Sequence, residues 1–211
     1  MTEKTLENNR VSVAGEIATD FMFSHEVYGE GFYLTTLLVN RLSDRVDEIP
    51  LMVSERLMDV TRDYRGELVE AEGQFRSFNR HEGSRNRLVL SVFAREIFFP
   101  QEEVEPARTN RIFLDGYLCK APIYRKTPLG REIADLLIAV NRPYGKSDYI
   151  PCIAWGRNAR YASGFEVGNR LRIWGRVQSR EYTKRISETQ LEYRTAYEVS
   201  VSKLEFADRE M

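Results

Sequence analysis

Cysteine and histidine are scarce in this 211-residue chain, with two of each. Cys119, Cys152, His25 and His81 show no metal-ligand spacing and no disulfide framework, so no metal site and no stapled secreted scaffold is expected. Long hydrophobic runs are also missing. Nothing approaches the roughly 20 apolar residues of a membrane helix. Met1 to Arg10 is polar and of mixed charge, unlike a secretory signal, and cytoplasmic residence is the default expectation. Catalytic constellations are absent too. Gly145-Lys146-Ser147 hints at a phosphate loop, but the upstream glycine such a loop needs is replaced by Val140. No Ser-His-Asp set has supporting context, and Asp44 and Asp47 read as solvent-facing members of a charged turn. Neither an enzyme nor a cofactor is expected.

The composition is that of an ordinary globular protein, with 42% hydrophobic and 30% charged residues. Its length suits one large domain or two of about 100 residues. The net charge of −1 hides an asymmetry. Residues 1–100 hold 12 basic against 17 acidic side chains, and residues 101–211 hold 19 against 15, giving −5 and +4. Such a split is a reason to suspect that the second half meets a polyanion, although charged faces are more often merely solvated.

The two halves are copies of one unit. Asn9-Arg10-Val11-Ser12-Val13-Ala14-Gly15 matches Asn110-Arg111-Ile112-Phe113-Leu114-Asp115-Gly116 at an offset of 101. The same offset carries Val39-Asn40-Arg41 onto Val140-Asn141-Arg142 and Ile49-Pro50 onto Ile150-Pro151. One residue later in register, Gly66 and Gly73 fall on Gly168 and Gly175, and Leu90-Ser91-Val92 corresponds to Val199-Ser200-Val201. A colinear series of this kind is a duplication.

Each unit reads as five short strands with period-2 alternation, in the second unit roughly 109–119, 131–142, 148–156, 169–181 and 193–205. Arg157 to Phe165 breaks the alternation and suits a short helix between strands three and four. Five strands, such a helix in each unit, and glycines where a barrel bends describe an all-β protein of two tandem OB-folds, five-stranded Greek-key barrels. A split SH3-like barrel is the competing all-β form. The expected units are 8–98 and 109–206, joined by an acidic, proline-containing linker at 99–108.

Asn110 to Leu118, Thr127-Pro128-Leu129-Gly130, Leu137 to Arg142, Asp148 to Ala159, Gly175 to Tyr182 and Glu198 to Val201 together resemble the bacterial single-stranded DNA-binding protein family. The resemblance covers nearly all of 109–205 in order. The first unit joins it only through the repeat. The resemblance implies sequence-tolerant binding of single-stranded DNA in replication, recombination or repair. Bases would stack on Tyr144, Tyr149, Trp155 and Tyr182, and phosphates would meet Arg125, Arg142, Lys146, Arg157, Arg176 and Arg180. Alternation alone leaves Trp155 free to face the core or solvent.

Phe78, Arg80, Arg85 and Arg87 of the first unit's hairpin, and Trp174 among the arginines of the second unit's fourth strand, are auxiliary candidates. Leu68, Glu70, Glu72 and Gln74 occupy the repeat positions of Arg170, Arg172, Trp174 and Arg176, so that face of the first unit is expected to repel DNA. The two oppositely charged faces either oppose each other, within the chain or across a dimer, or are solvated independently, the latter being the expectation. Two departures from the family stand out. The chain ends at Met211 with no acidic tip for recruiting other proteins, and two barrels share one chain, so a homodimer would supply four. A protein-interaction adaptor of weak nucleic-acid affinity and a single-stranded RNA binder are the alternatives.

Overall fold

The computed structural model describes residues 7–43, 45–82, 85–102, 104–105, 108–187 and 190–207, and for 79–82 and 85–87 the backbone only. Its first unit contains β1 (Asn9–Ile17), β2 (Met22–Val27), β3 (Glu30–Asn40), β4 (Val46–Ser54), β5 (Leu68–Glu82) and β6 (Arg85–Phe98). The second contains β7 (Asn110–Leu118), β8 (Ile123–Lys126), β9 (Glu132–Asn141), β10 (Ser147–Trp155), α1 (Arg157–Ala162), β11 (Arg170–Arg185) and β12 (Leu191–Ala207). In each unit five strands close a barrel. The first runs β1-β3-β4-β6-β5 and back to β1, with β4 and β6 parallel; the second repeats it as β7-β9-β10-β12-β11. The expected strands are present, and each unit adds one exposed hairpin strand, β2 or β8, within its first connection.

Alternation explains the cores. Val11, Val13, Leu37, Val39, Ile49, Leu51 and Val69 fill the first barrel, and Ile112, Leu114, Ile138, Val140, Ile150 and Leu171 fill the second. Gly73 and Gly175 sit at β-bulges where β5 and β11 bend. A Cβ at either would collide with a carbonyl oxygen across the ladder, of Phe93 or of Ser200 respectively.

The expected helix forms in one unit only. Gly156 opens α1 in a left-handed conformation (φ 55°), and Ala159 and Ala162 bury its inner face. The corresponding stretch of the first unit is a series of turns. Asp59 accepts from the backbone of Thr61, and Asp63 from that of Arg65, each at 3.0 Å. Such short-range side-chain bonds compete with helical ones, so the chain turns instead.

The two barrels are fused by an antiparallel pairing of β1 with β7, in which Val11 faces Ile112, its own repeat equivalent. The junction is therefore an internal isologous interface with a local two-fold relation. Reciprocal bonds follow it. Asn9 exchanges two hydrogen bonds with the backbone of Phe75, and Asn110 does the same with Val177. Asp47 of the first unit accepts from the backbone of Ser179 in the second, and Asp148 of the second accepts from that of Ser77 in the first, both at 2.8 Å. Asp47 is thus fully buried rather than solvent-facing as expected, because the facing strand supplies its partners; Asp44 lies outside the described residues.

The pairing also places the two charged faces. The order β5-β1-β7-β11 makes them two strips of one continuous sheet surface, set apart by β1 and β7, so within the chain they do not face each other. Arg170 and Arg172 are held on this surface by Asp115, and Glu70 accepts from Ser12.

Candidate nucleic-acid interface

The outer side of the second barrel, where it meets the first, carries a groove of about 630 Å³. Its wall is β11, whose Arg176, Gln178 and Arg180 line it at strand period, Gln178 being buried against Glu198. Trp155, the last residue of β10, stands at its edge. Cys152 and Ala154 point into the core, and Trp155 is 39% exposed, so the alternation resolves with its ring outward. Five arginines line the groove against two glutamates, Glu48 and Glu181. A second recess on the other side of Trp155 is lined by Arg157 and Tyr161 of α1. The surface offers a flat ring flanked by cations, the combination that grips a base and its neighbouring phosphates.

Buried carboxylates fix the arginines. Asp47 binds Arg41 bidentately at 2.6 and 2.7 Å and also meets Arg176 at 3.3 Å. The Asp47 bond raises the pKa of Arg41, while burial and the charge of Arg41 lower that of Arg176. Arg180 is set by Glu198 at 3.3 Å and lies 5.9 Å from the ring of Tyr182. Held in this way, the guanidiniums lose little side-chain freedom when a strand arrives.

The structure gathers some of the expected residues here and places others elsewhere. Trp155, Arg176 and Arg180 share the groove, Arg157 lines the adjoining recess, and Tyr182 continues the row along β11. Tyr149 is exposed farther along β10, and Arg125 lies on β8, paired with Asp135 at 2.9 Å. Tyr144 and exposed Lys146 form the β9–β10 turn. Tyr144 is held there at φ 64°, a left-handed conformation unfavourable for a side chain of this size, with its ring almost fully exposed. Trp174 lies instead on the shared sheet surface, 5.1 Å from Phe113 and 4.6 Å from the Lys203 ammonium. Arg142 leaves its own barrel and lines a groove of the first unit together with Phe78. The side chains of Arg80, Arg85 and Arg87 lie outside the described residues.

Sequence reasoning missed Arg41, Arg45, Arg131 and Tyr161. Arg41 and Arg45 belong to the first unit yet line the second unit's groove. The repeat match of Arg41 with Arg142 was the available signal for the first; nothing in the sequence marks Arg45.

Residues 109–207 match the model of the Single-strand binding protein family. Single-stranded DNA-binding protein 3 of Listeria innocua serovar 6a is 38% identical over 80 residues, covering 35% of this chain and 50% of that protein. Single-stranded DNA-binding protein A of Bacillus subtilis is 36% identical over 80 residues, covering 35% and 46%. The chain thus spans about half the length of the curated relatives it matches. The fold of the whole chain is like that of the wild-type single-stranded DNA binding protein from Thermus aquaticus. The TM-score is 0.72 at 20% identity, over 99% of this chain and 96% of that one.

Proposed function

We propose, from the match of its second barrel to the single-strand binding protein family, that this chain holds single-stranded DNA with little sequence preference and catalyses nothing. The observation that carries the reading is Trp155 standing outward at the edge of a groove with five arginines. A base stacks on Trp155, and the strand runs along β11 with its phosphates toward Arg176, Arg180 and the first unit's Arg45. Tyr182 extends the stacking row. Tyr149, Tyr144 and Lys146 provide a further exposed patch, and Arg157 with Tyr161 takes the strand on the far side of Trp155. No element of this arrangement reads base edges, so affinity comes from π-faces and released counterions.

The units are 8–98 and 109–206, joined by 99–108, and two chains assemble as a homodimer of four barrels. Such a protein serves replication, recombination or repair in the cytoplasm by covering exposed strands.

Titration of intrinsic tryptophan fluorescence with oligo-dT at low and high salt tests the reading. Saturable quenching that weakens with salt is expected. Four phosphates neutralised by arginine give a slope of log K against log salt near ~−3. A flat titration at low salt defeats the proposal, and tighter binding of oligo-rU would reassign it to RNA. Sedimentation as a monomer at micromolar concentration would remove the homodimer.

A further inference from the structure

The first connection of each unit carries a hairpin arm, and the two arms have opposite charge. Between Arg10 and Arg41 there is no lysine or arginine, while Glu16, Asp20, Glu26 and Glu30 are acidic. Between Asp115 and Glu132 there is no acid, while Lys120, Arg125, Lys126 and Arg131 are basic. The arms are repeat equivalents, since the offset of 101 carries Met22 and Phe23 onto Ile123 and Tyr124. Each arm thus excludes one sign of charge and keeps the same apolar pair.

β2 and β8 stand at the two ends of the strand order, and neither has a neighbour on its outer side among the described residues. Such an edge presents unpaired backbone N–H and C=O groups, a template for another strand. Both arms also expose large apolar side chains: Met22, Phe23, Val27 and Tyr28 on the first, Ile123 and Leu129 on the second. Grouped exposure of this kind marks a contact surface. The arms are braced from within. His25 stacks on Phe32 at 5.0 Å and Phe32 on Phe93 at 5.5 Å, while Tyr124 donates to Glu132 at 2.6 Å and Arg125 pairs with Asp135 at 2.9 Å. Little order is lost when a partner strand docks.

We infer that these chains associate head to tail, the β2 arm of one adding to the β8 arm of the next. The contact stands on its own; its use, to bring neighbours together along a strand, rests on the strand-holding function proposed above. Charge selects this pairing. Two β2 arms repel each other, as do two β8 arms, and only the unlike pair attracts. Asp20 and Glu30 are engaged by Arg65 and Arg56 at 3.4 and 3.3 Å, but Glu26 and Lys126 are exposed and closed into no ion pair among the described residues. These two join across the contact. Because the surfaces differ, every run of chains ends in one open β2 and one open β8, and it propagates rather than closes. β8 has four residues, so the contact is small and weak between free chains. Neighbours on one strand meet at an effective concentration of about millimolar, where it counts.

Two measurements test the contact. Zero-length carbodiimide coupling of a concentrated mixture of isotopically labelled and unlabelled chains should yield labelled–unlabelled peptide pairs joining Glu26 to Lys126. On a long oligo-dT, cooperativity should fall about 5-fold in Lys126→Glu, where one exposed attraction becomes a repulsion of like size. Glu26→Lys should do the same. The chain carrying both changes, or an equimolar mixture of the two single variants, should recover it. Added salt should weaken cooperativity in the wild type more than in either single variant. Couplings that avoid Glu26 and Lys126, or cooperativity that the double change does not restore, overturn the contact. So does a Lys126→Glu loss of equal size on an oligomer too short for two chains, which would make β8 a phosphate contact instead. Failure of the wild-type chain to bind oligo-dT defeats the strand-holding function, and the coupling then decides the contact alone.

Discussion

The two units share a backbone and differ in almost everything that faces outward. Asn9 and Asn110, Asp47 and Asp148, and Gly73 and Gly175 hold equivalent places: each asparagine bonds the backbone of the bulged strand, each aspartate accepts from a backbone N–H of the other unit, and a Cβ at either glycine would meet a carbonyl oxygen. They stand where the barrels bend or where each touches the other. Positions that face outward in the second unit have diverged: Trp155 corresponds to the buried Ser54, Arg180 to Phe78, and Arg172 to Glu70. A duplicated barrel joined to its own copy retains the residues that close and join it, since a change there disturbs both halves. Outer-surface residues such as Trp155 take no part in closing or joining the barrels and are free to specialise. The second unit became rich in arginine and the first in stacked rings.

The sharpest way to break the comparison is at the buried carboxylates. Asp47→Ala strands Arg41 and Arg176 and should lower stability by about 3–5 kcal/mol in chemical denaturation, the cost of leaving a buried charge unpaired. Asp148→Ala removes the bond from the Ser77 backbone and one loose ion pair, with Arg142 at 3.6 Å, and should cost less. Equal losses would show that the two junction sites are equivalent after all.

Next in size, Trp155→Ala removes the second unit's stacking ring and should weaken oligo-dT binding by about 1–3 kcal/mol, read by anisotropy. Ser54→Ala at the equivalent position of the first unit should leave affinity unchanged.

A smaller effect tests the exchange of arginines between units. Arg45→Ala should flatten the salt slope by about 0.7, one phosphate contact on a single strand, although Arg45 belongs to the unit without Trp155. An unchanged slope would confine the second groove to its own barrel.

The smallest effect is on pH. Burial raises the pKa of Asp148 above its ordinary 3.8, outweighing the opposing bond from Ser77 and the charge of Arg142. The folded state then holds the proton more tightly than the unfolded one, so this group's contribution to stability declines as pH rises from 3.8 through the raised value. The melting temperature of Asp148→Asn relative to wild type should climb across that window and level off above it. A difference independent of pH would place the carboxylate in contact with water.

Much of the architecture is legible in the residues. The offset of 101, the alternation of Leu171, Ile173 and Val177, and the break beginning at Arg157 gave the five barrel strands and α1 of the second unit to within about four residues, without the hairpin strand β8. The helix expected in the first unit failed because Asp59 and Asp63 bond locally to the backbone, a side-chain choice that repeat matching passes over. In the candidate site, Trp155, Arg176 and Arg180 were legible because they lie on one strand or beside it. Arg41 and Arg45 were not, since they reach the groove from a different barrel.

By itself, then, the sequence determined two like barrels, the face of each strand that is buried, and the greater positive charge of the second unit. Those properties are local, carried by period-2 patterning and composition. Only the tertiary structure decided that β1 pairs with β7, that the acidic and basic strips share one sheet, and that grooves are lined across the junction, by Arg41 and Arg45 on one side and Arg142 on the other. Alternation specifies which side of a strand meets the core and is silent about which neighbour takes its open edge. That choice is made by backbone hydrogen bonds between segments about a hundred residues apart, and it set the geometry of both grooves.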